Sequence, residues 1–208
     1  MEWIEKLKRS FSLLIYLSLS RSNPALSGPK PHDRPPGDLV WLHLSNLALL
    51  PANCHLIERL CALRPDVNIL VTTVSKTRPD RLSSDTLWSP IASEHPSAVE
   101  EFLSHWRPDL CLWSYGNLRP SLLHNAAKKN IPLYLIDVDE TSFQTRRWRL
   151  FNTLRQTILR RFQAILAITP KAGAIAVQSG ALEGIVETWG ALQEGKVPLL
   201  CDEDERIR

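Results

Sequence analysis

The chain has 208 residues, 44% of them hydrophobic and 23% charged, with a formal net charge of +3. Those proportions exclude disorder for the bulk of the chain, and so small a net charge gives no argument for a nucleic-acid partner. At roughly 150 residues per domain, the length suits one sizeable α/β domain with some chain to spare. The cysteines Cys54, Cys61, Cys111 and Cys201 form no Cys-x-x-Cys pair, and no histidines cluster at zinc spacing. They read as small apolar core residues in a reducing compartment, so no metal site is expected.

Residues 1–21 open with Lys6, Lys8 and Arg9, followed by an apolar run from Phe11 to Leu19. The run is about half as long as a membrane-spanning helix requires. Two readings stay open. One is an interfacial helix that dips into one leaflet, with Trp3 and Tyr16 near the headgroups. The other is a helix packed on its own domain. Residues 22–37 are Pro-rich and read as a linker.

From Asp38 the pattern changes. Short apolar runs at 39–44, 67–73, 109–113, 131–136 and 164–168 read as strands. The segments 47–64, 96–106, 119–130, 147–162 and 170–180 have helical length and spacing. Strands alternating with helices predict βαβ units, right-handed crossovers and a parallel sheet, and near-continuous apolar strands predict cover on both faces. The expected fold is α/β, a Rossmann-like parallel sheet with helices on both faces, spanning 38–195. Residues 196–208 read as a tail or the start of another domain. In such sheets ligands bind outside the carboxyl ends of the strands.

The chemistry-bearing residues fall in those stretches. No Gly-x-Gly-x-x-Gly follows the first strand, and there is no P-loop or Gly-x-Ser-x-Gly elbow. The usual signals for a dinucleotide, a triphosphate or a serine hydrolase are therefore missing. His43, Ser45 and Asn46 end the first strand. Thr72, Thr73, Lys76 and Thr77 follow the second with hydroxyls and an ammonium suited to sugar or phosphate, or serve as a polar loop capping a helix. Tyr115, Asn117 and Arg119 follow the apolar run 109–113 and could bind hydroxyls and an anion. They read equally as a helix start, with Asn117 near the cap and Pro120 in the first turn. Asp137, Asp139 and Glu140 put three carboxylates past the next strand, as acid–base groups or as a solvated loop. Arg146, Arg147, Arg149, Arg155, Arg160 and Arg161 load one helix with charge that suits phosphate or anionic lipid, or simply face solvent.

The order of these pieces resembles the Kdo (3-deoxy-D-manno-octulosonic acid) transferase family. Trp41-Leu-His43 with its polar turn is similar to the family's W-x-H-A-x-S-x-G-E stretch. Ile69-Leu-Val-Thr-Thr73 with Thr77 is similar to L-V-T-T-x-T-x-T, and Trp106-Arg-Pro-Asp-Leu110 to R-x-R-P-D-L. Leu118-Arg-Pro120 stands where the family has L-W-P, and Ile131 to Asp137 resembles I-P-x-x-L-V-N. Leu159 to Ala167, then Ser179-Gly-Ala181 and Trp189-Gly190, follow the later motifs in order. The resemblance implies the acceptor-facing, amino-terminal half of a GT-B glycosyltransferase, which moves Kdo from CMP-Kdo to lipid A precursor at the cytoplasmic face of the inner membrane. It implies no cofactor. CMP-Kdo is a donor substrate held mainly by a second domain expected to lie outside this chain. The implied partners are a phosphorylated lipid acceptor, the cytoplasmic membrane surface and a separate donor-binding half.

The departures are specific. The family's catalytic glutamate aligns with Leu49, its two acids before L-W-P with Tyr115 and Asn117, its Trp with Arg119, the following Asn with Ser121, and the Asn after strand five with Asp137. Leu49 cannot accept a proton, which leaves Asp137, Asp139 and His43 as substitutes. The remaining acceptor-binding candidates are Ser45, Asn46, Thr72, Thr73, Lys76, Thr77, Tyr115, Asn117, Arg119, Arg146 and Arg147. A catalytically inactive Rossmann-like half that binds lipid or a partner protein stays open beside the enzyme reading, as does an unrelated small α/β enzyme built on Asp137, Asp139 and His43.

Overall fold

The computed structural model describes residues 2–22, 33–144 and 151–192, with the backbone alone along 2–10. Most of the expected linker, the arginines at 146, 147 and 149, and the stretch 196–208 lie outside the described residues.

In chain order the elements are α1 (Glu2–Ser20), β1 (Leu39–Leu44), a 3₁₀ turn (Leu47–Leu49), α2 (Leu50–Leu63), β2 (Asn68–Thr73), β3 (Leu87–Pro90), α3 (Pro96–Trp106) and β4 (Leu110–Ser114). There follow α4 (Pro120–Lys128), β5 (Leu133–Val138), α5 (Asn152–Leu159), β6 (Ala164–Ala167), α6 (Pro170–Gln178), a second 3₁₀ turn (Glu183–Ile185) and β7 (Val186–Thr188). The strands form one seven-stranded sheet in the order β3-β2-β1-β4-β5-β6-β7. Every neighbouring pair is parallel. All loops that leave strand ends therefore emerge along one carboxyl edge, and the chain reverses its direction of travel between β1 and β4, the switch point of a doubly wound sheet.

The five expected strands are present. The two edge strands, β3 and β7, were not expected. β3 is four residues long, half-buried throughout and ends in proline, and β7 has three residues with two exposed. Neither offers an apolar run long enough to register as a strand. The polar loop after β2 consequently leads to an edge strand and not to a helix.

The two faces are covered unequally. Leu39, Trp41, Cys111, Trp113, Leu133, Leu135 and Ile165 pack into a core with α1, α3, α4, α5 and α6. Its centre is aromatic: Trp41 lies 5.2 Å from Phe102 and 6.0 Å edge-on from Trp113. Such pairs add about 0.5–1.5 kcal/mol each beyond the area they bury. The opposite face is packed by α2, through Leu50 and Ile57 against Leu42, Leu44, Ile69 and Val71. Beyond the reach of α2 the pattern of β4 and β6 alternates between buried and half-buried, with Leu112 and Leu166 only partly covered.

α1 packs against α4 and α5. Leu13 is buried, and Tyr16 donates a hydrogen bond to Glu94 Oε2 at 2.9 Å. Its outer side keeps Phe11, Leu14, Ile15 and Leu19 exposed. Packing on its own domain thus leaves one apolar ridge of this helix uncovered.

Candidate functional site

Strand alternation sends polar residues at the carboxyl edge to different faces. His43, Thr72 and Trp113 share one register row on the aromatic side. There Trp41 Nε1 donates to Thr72 Oγ1 at 2.8 Å, and His43 Nδ1 shares a 2.9 Å hydrogen bond with the same hydroxyl. The His43 ring lies 4.0 Å from the Trp113 ring. Burial, with the Arg119 guanidinium nearby, pulls the His43 pKa from 6.5 down to about 3. A neutral, sealed imidazole packed against a tilted indole behaves as core. Its Nε2, like Ser45 Oγ, is buried without a partner among the described residues.

The acceptor-binding candidates divide by what already occupies them. Thr73 Oγ1 accepts from Trp88 Nε1 at 3.2 Å and is buried. Lys76 and Thr77 are exposed, and the Thr77 hydroxyl pairs with Ser75. Asn46 caps the 3₁₀ turn, its Oδ1 accepting from Ala48 N at 3.0 Å. Arg119 is the residue preceding α4 and donates to Ala92 O at 3.0 Å. Asn117 is exposed and does not cap α4. Glu94 does so from the loop after β3, accepting from Ser121 N at 2.9 Å and Leu122 N at 3.4 Å. A carboxylate at a helix N-terminus satisfies orphan N–H groups and meets the positive end of the helix dipole. Arg146 and Arg147 lie outside the described residues.

The loops after β4 and β5 interlock. Tyr115 Oη and Thr141 Oγ1 are 2.6 Å apart, and Thr141 in turn donates to Asp139. Asp139 also accepts from Thr141 N and Ser142 Oγ, so its carboxylate is spent on a turn. Glu140 accepts from Thr169 Oγ1, which caps α6, and that bond holds the Glu140 pKa below the ordinary carboxylate value. Gly116 is required here: a Cβ would stand 1.9 Å from Ser142 O.

Asp137 differs from both neighbours. Its backbone φ is 55°, in the left-handed region, as are those of Tyr115 (68°) and Asn117 (53°). Arg107 and Asn130 are also left-handed, but both end helices, where that conformation is routine. The three at the carboxyl edge have no such explanation, and strain of this kind concentrates at functional sites. Asp137 is 7% exposed. Its Oδ1 accepts from Leu192 N at 3.1 Å, and among the described residues its Oδ2 has only a long 3.5 Å contact from Ser114 Oγ. Burial raises its pKa, opposed by those two hydrogen bonds.

Sequence reasoning could not find Glu94, Gly116, Ser142 or Leu192. Each contributes through a long-range contact, and none carries a motif. Among the described residues no three His, Cys, Asp or Glu side chains gather as a metal site, and no helix is long and apolar enough to cross a membrane.

A fully parallel sheet of this strand order, with its polar loops on one edge at the switch point, defines a Rossmann-like α/β domain of the kind found in GT-B glycosyltransferases. Solved structures agree on the fold. The S. aureus MnaA–UDP co-structure superposes with a TM-score of 0.52 at 12% identity, covering 74% of this chain and 44% of that one. The UDP-GlcNAc 2-epimerase of Neisseria meningitidis bound to UDP-GlcNAc gives 0.51 at 13% identity, covering 72% and 45%. At the sequence level, the profile of the 3-deoxy-D-manno-octulosonic-acid transferase (kdotransferase) family matches residues 19–194. The 3-deoxy-D-manno-octulosonic acid transferases of Rickettsia typhi and Rickettsia prowazekii are 27% and 26% identical over 164 residues, covering 76% of this chain and 32% of each relative. The chain belongs to the Kdo transferase family, and it spans about a third of the length of these curated relatives.

Proposed function

We propose that this chain is the acceptor-side Rossmann-like unit of a glycosyltransferase that moves Kdo from CMP-Kdo to a phosphorylated lipid A precursor in lipopolysaccharide biosynthesis. The family match along residues 19–194 carries the reading. The polar carboxyl edge, with exposed Lys76, Thr77 and Asn117, supports it as a surface for a sugar phosphate. The donor, CMP-Kdo, is held mainly by a second unit, and no cofactor takes part.

The same reading puts the protein at the cytoplasmic face of the inner membrane as a peripheral protein. The apolar ridge Phe11, Leu14, Ile15 and Leu19 supports it, because an amphipathic helix lies in the interface with such a ridge buried. The basic residues Lys6, Lys8 and Arg9 add attraction to anionic lipid, about 1 kcal/mol each near the surface.

The test is a transfer assay. The full chain is mixed with the donor-side portion of a rickettsial relative, CMP-Kdo and an acylated, bisphosphorylated glucosamine disaccharide. Kdo appearing on the disaccharide is the expected result. A chain that neither binds the disaccharide nor supports transfer contradicts the reading. Binding without transfer by any variant favours the alternative of an inactive lipid-binding half.

A further inference from the structure

We propose that Asp137 takes the proton from the acceptor hydroxyl, in place of the carboxylate that the family has at position 49. The inference rests on the transfer reading above. Position 49 is leucine, and Leu50 beside it belongs to the α2-side cluster, so position 49 itself supplies no base there.

Asp137 arrives at the same corner from β5. Leu135 and Val138 both pack on the aromatic side, and the register between β5 and β6 slips between them. The bulge therefore takes residues 136 and 137 off strict alternation. Ile136 falls into the α2-side cluster together with Leu44, Leu50 and Leu192. Leu192 is the residue whose N–H holds Asp137 Oδ1, and Ser114, the contact of Oδ2, pairs in register with Leu44. The Asp137 carboxylate is thus anchored through one oxygen on the side from which position 49 rises.

Of the three carboxylates in this stretch, Asp137 is the buried one with an oxygen to spare and a raised pKa. Glu140 also keeps an oxygen, but it is less buried and its bond to Thr169 lowers its pKa, which makes it the weaker base. Both oxygens of Asp139 are taken by Thr141 and Ser142. Oδ2 of Asp137, with its single long contact, retains lone pairs for a hydroxyl donor. Its burial makes it a stronger base than an exposed aspartate, which suits proton acceptance near neutral pH.

The step balances. The acceptor oxygen bonds to the anomeric carbon of the donor, and the bond from that carbon to the phosphate oxygen breaks. Its electron pair leaves with the nucleoside monophosphate, and the hydroxyl proton passes to Asp137 Oδ2.

The assay mixture above distinguishes the outcomes. Asparagine and glycine both tolerate a φ of 55°, so Asp137→Asn and Asp137→Gly keep the fold. Asp137→Asn is expected to lower kcat about 10²–10⁴-fold with disaccharide binding unchanged. Added formate is expected to restore part of the activity of Asp137→Gly and none of that of Asp137→Asn. Activity of Asp137→Asn within tenfold of wild type overturns the inference. An inert wild type whose Leu49→Glu variant transfers Kdo also overturns it, and leaves the transfer reading standing. If neither wild type nor Leu49→Glu transfers Kdo, the transfer reading falls and this inference with it.

Discussion

The two sides of the carboxyl edge carry similar residue types and do opposite things. On the aromatic side, His43 and Thr72 are locked to each other and to Trp41, under the Trp113 ring, with no exposed surface. On the α2 side, Asp137 sits on a strained backbone with one oxygen anchored and the other nearly unused. Polarity at a strand end therefore does not mark a site. What marks it is polar capacity that the fold has left unspent, held where the backbone is strained.

The aromatic side should behave as core. Trp113→Ala is expected to cost about 3–5 kcal/mol, read from chemical denaturation, because the indole is fully buried and leaves a cavity. A loss below 1 kcal/mol would make this side far looser than its packing indicates. Gly116→Ala comes next, at about 2–3 kcal/mol, since its Cβ meets backbone atoms of Ser142, which must shift to admit it.

Opposite pH signatures sharpen the contrast. His43 has a depressed folded pKa, so its contribution to stability is present above pH 6.5 and is lost as pH falls toward about 3. His43→Gln should remove that slope from the denaturation profile. Asp137 has a raised folded pKa. Its contribution is present below the ordinary aspartate value and is lost as pH rises through the raised one. Subtracting the Asp137→Asn profile from wild type should show stability falling with rising pH in that window. A slope of the same sign for both residues would erase the distinction between the two sides.

The smallest effects concern two outer contacts, one joining α1 to the domain and one between α3 and the end of α4. Tyr16→Phe is expected to cost about 1 kcal/mol, for one hydrogen bond to Glu94. Lys129→Ala, which breaks an exposed pair with Glu100, should stay within about 0.5 kcal/mol by the same denaturation assay.

The central strands were legible because burial on both faces leaves near-continuous apolar runs such as Leu39 to Leu44, interrupted only by His43, and Ile69 to Val71. The edge strands were not, because an edge strand needs few apolar residues and tolerates Pro90. In the candidate region, the strand ends could be located from alternation of strands and helices. Which hydroxyls were spent could not, since Thr72 is claimed by Trp41, 31 positions earlier in the chain. The distinction between Asp137 and Asp139 was equally hidden. One residue separates them, yet one lies in a bulge braced by Leu192 and the other in a self-closed turn.

The most direct measurement is an amide chemical-shift titration of the full chain with the acylated, bisphosphorylated glucosamine disaccharide in detergent micelles. Shifts are predicted at Asn117, Asp137 and Leu192, on the open side of the carboxyl edge, with His43 and Thr72 unmoved. A saturating titration that leaves the carboxyl edge unperturbed, or that moves only α1, would contradict an acceptor site there.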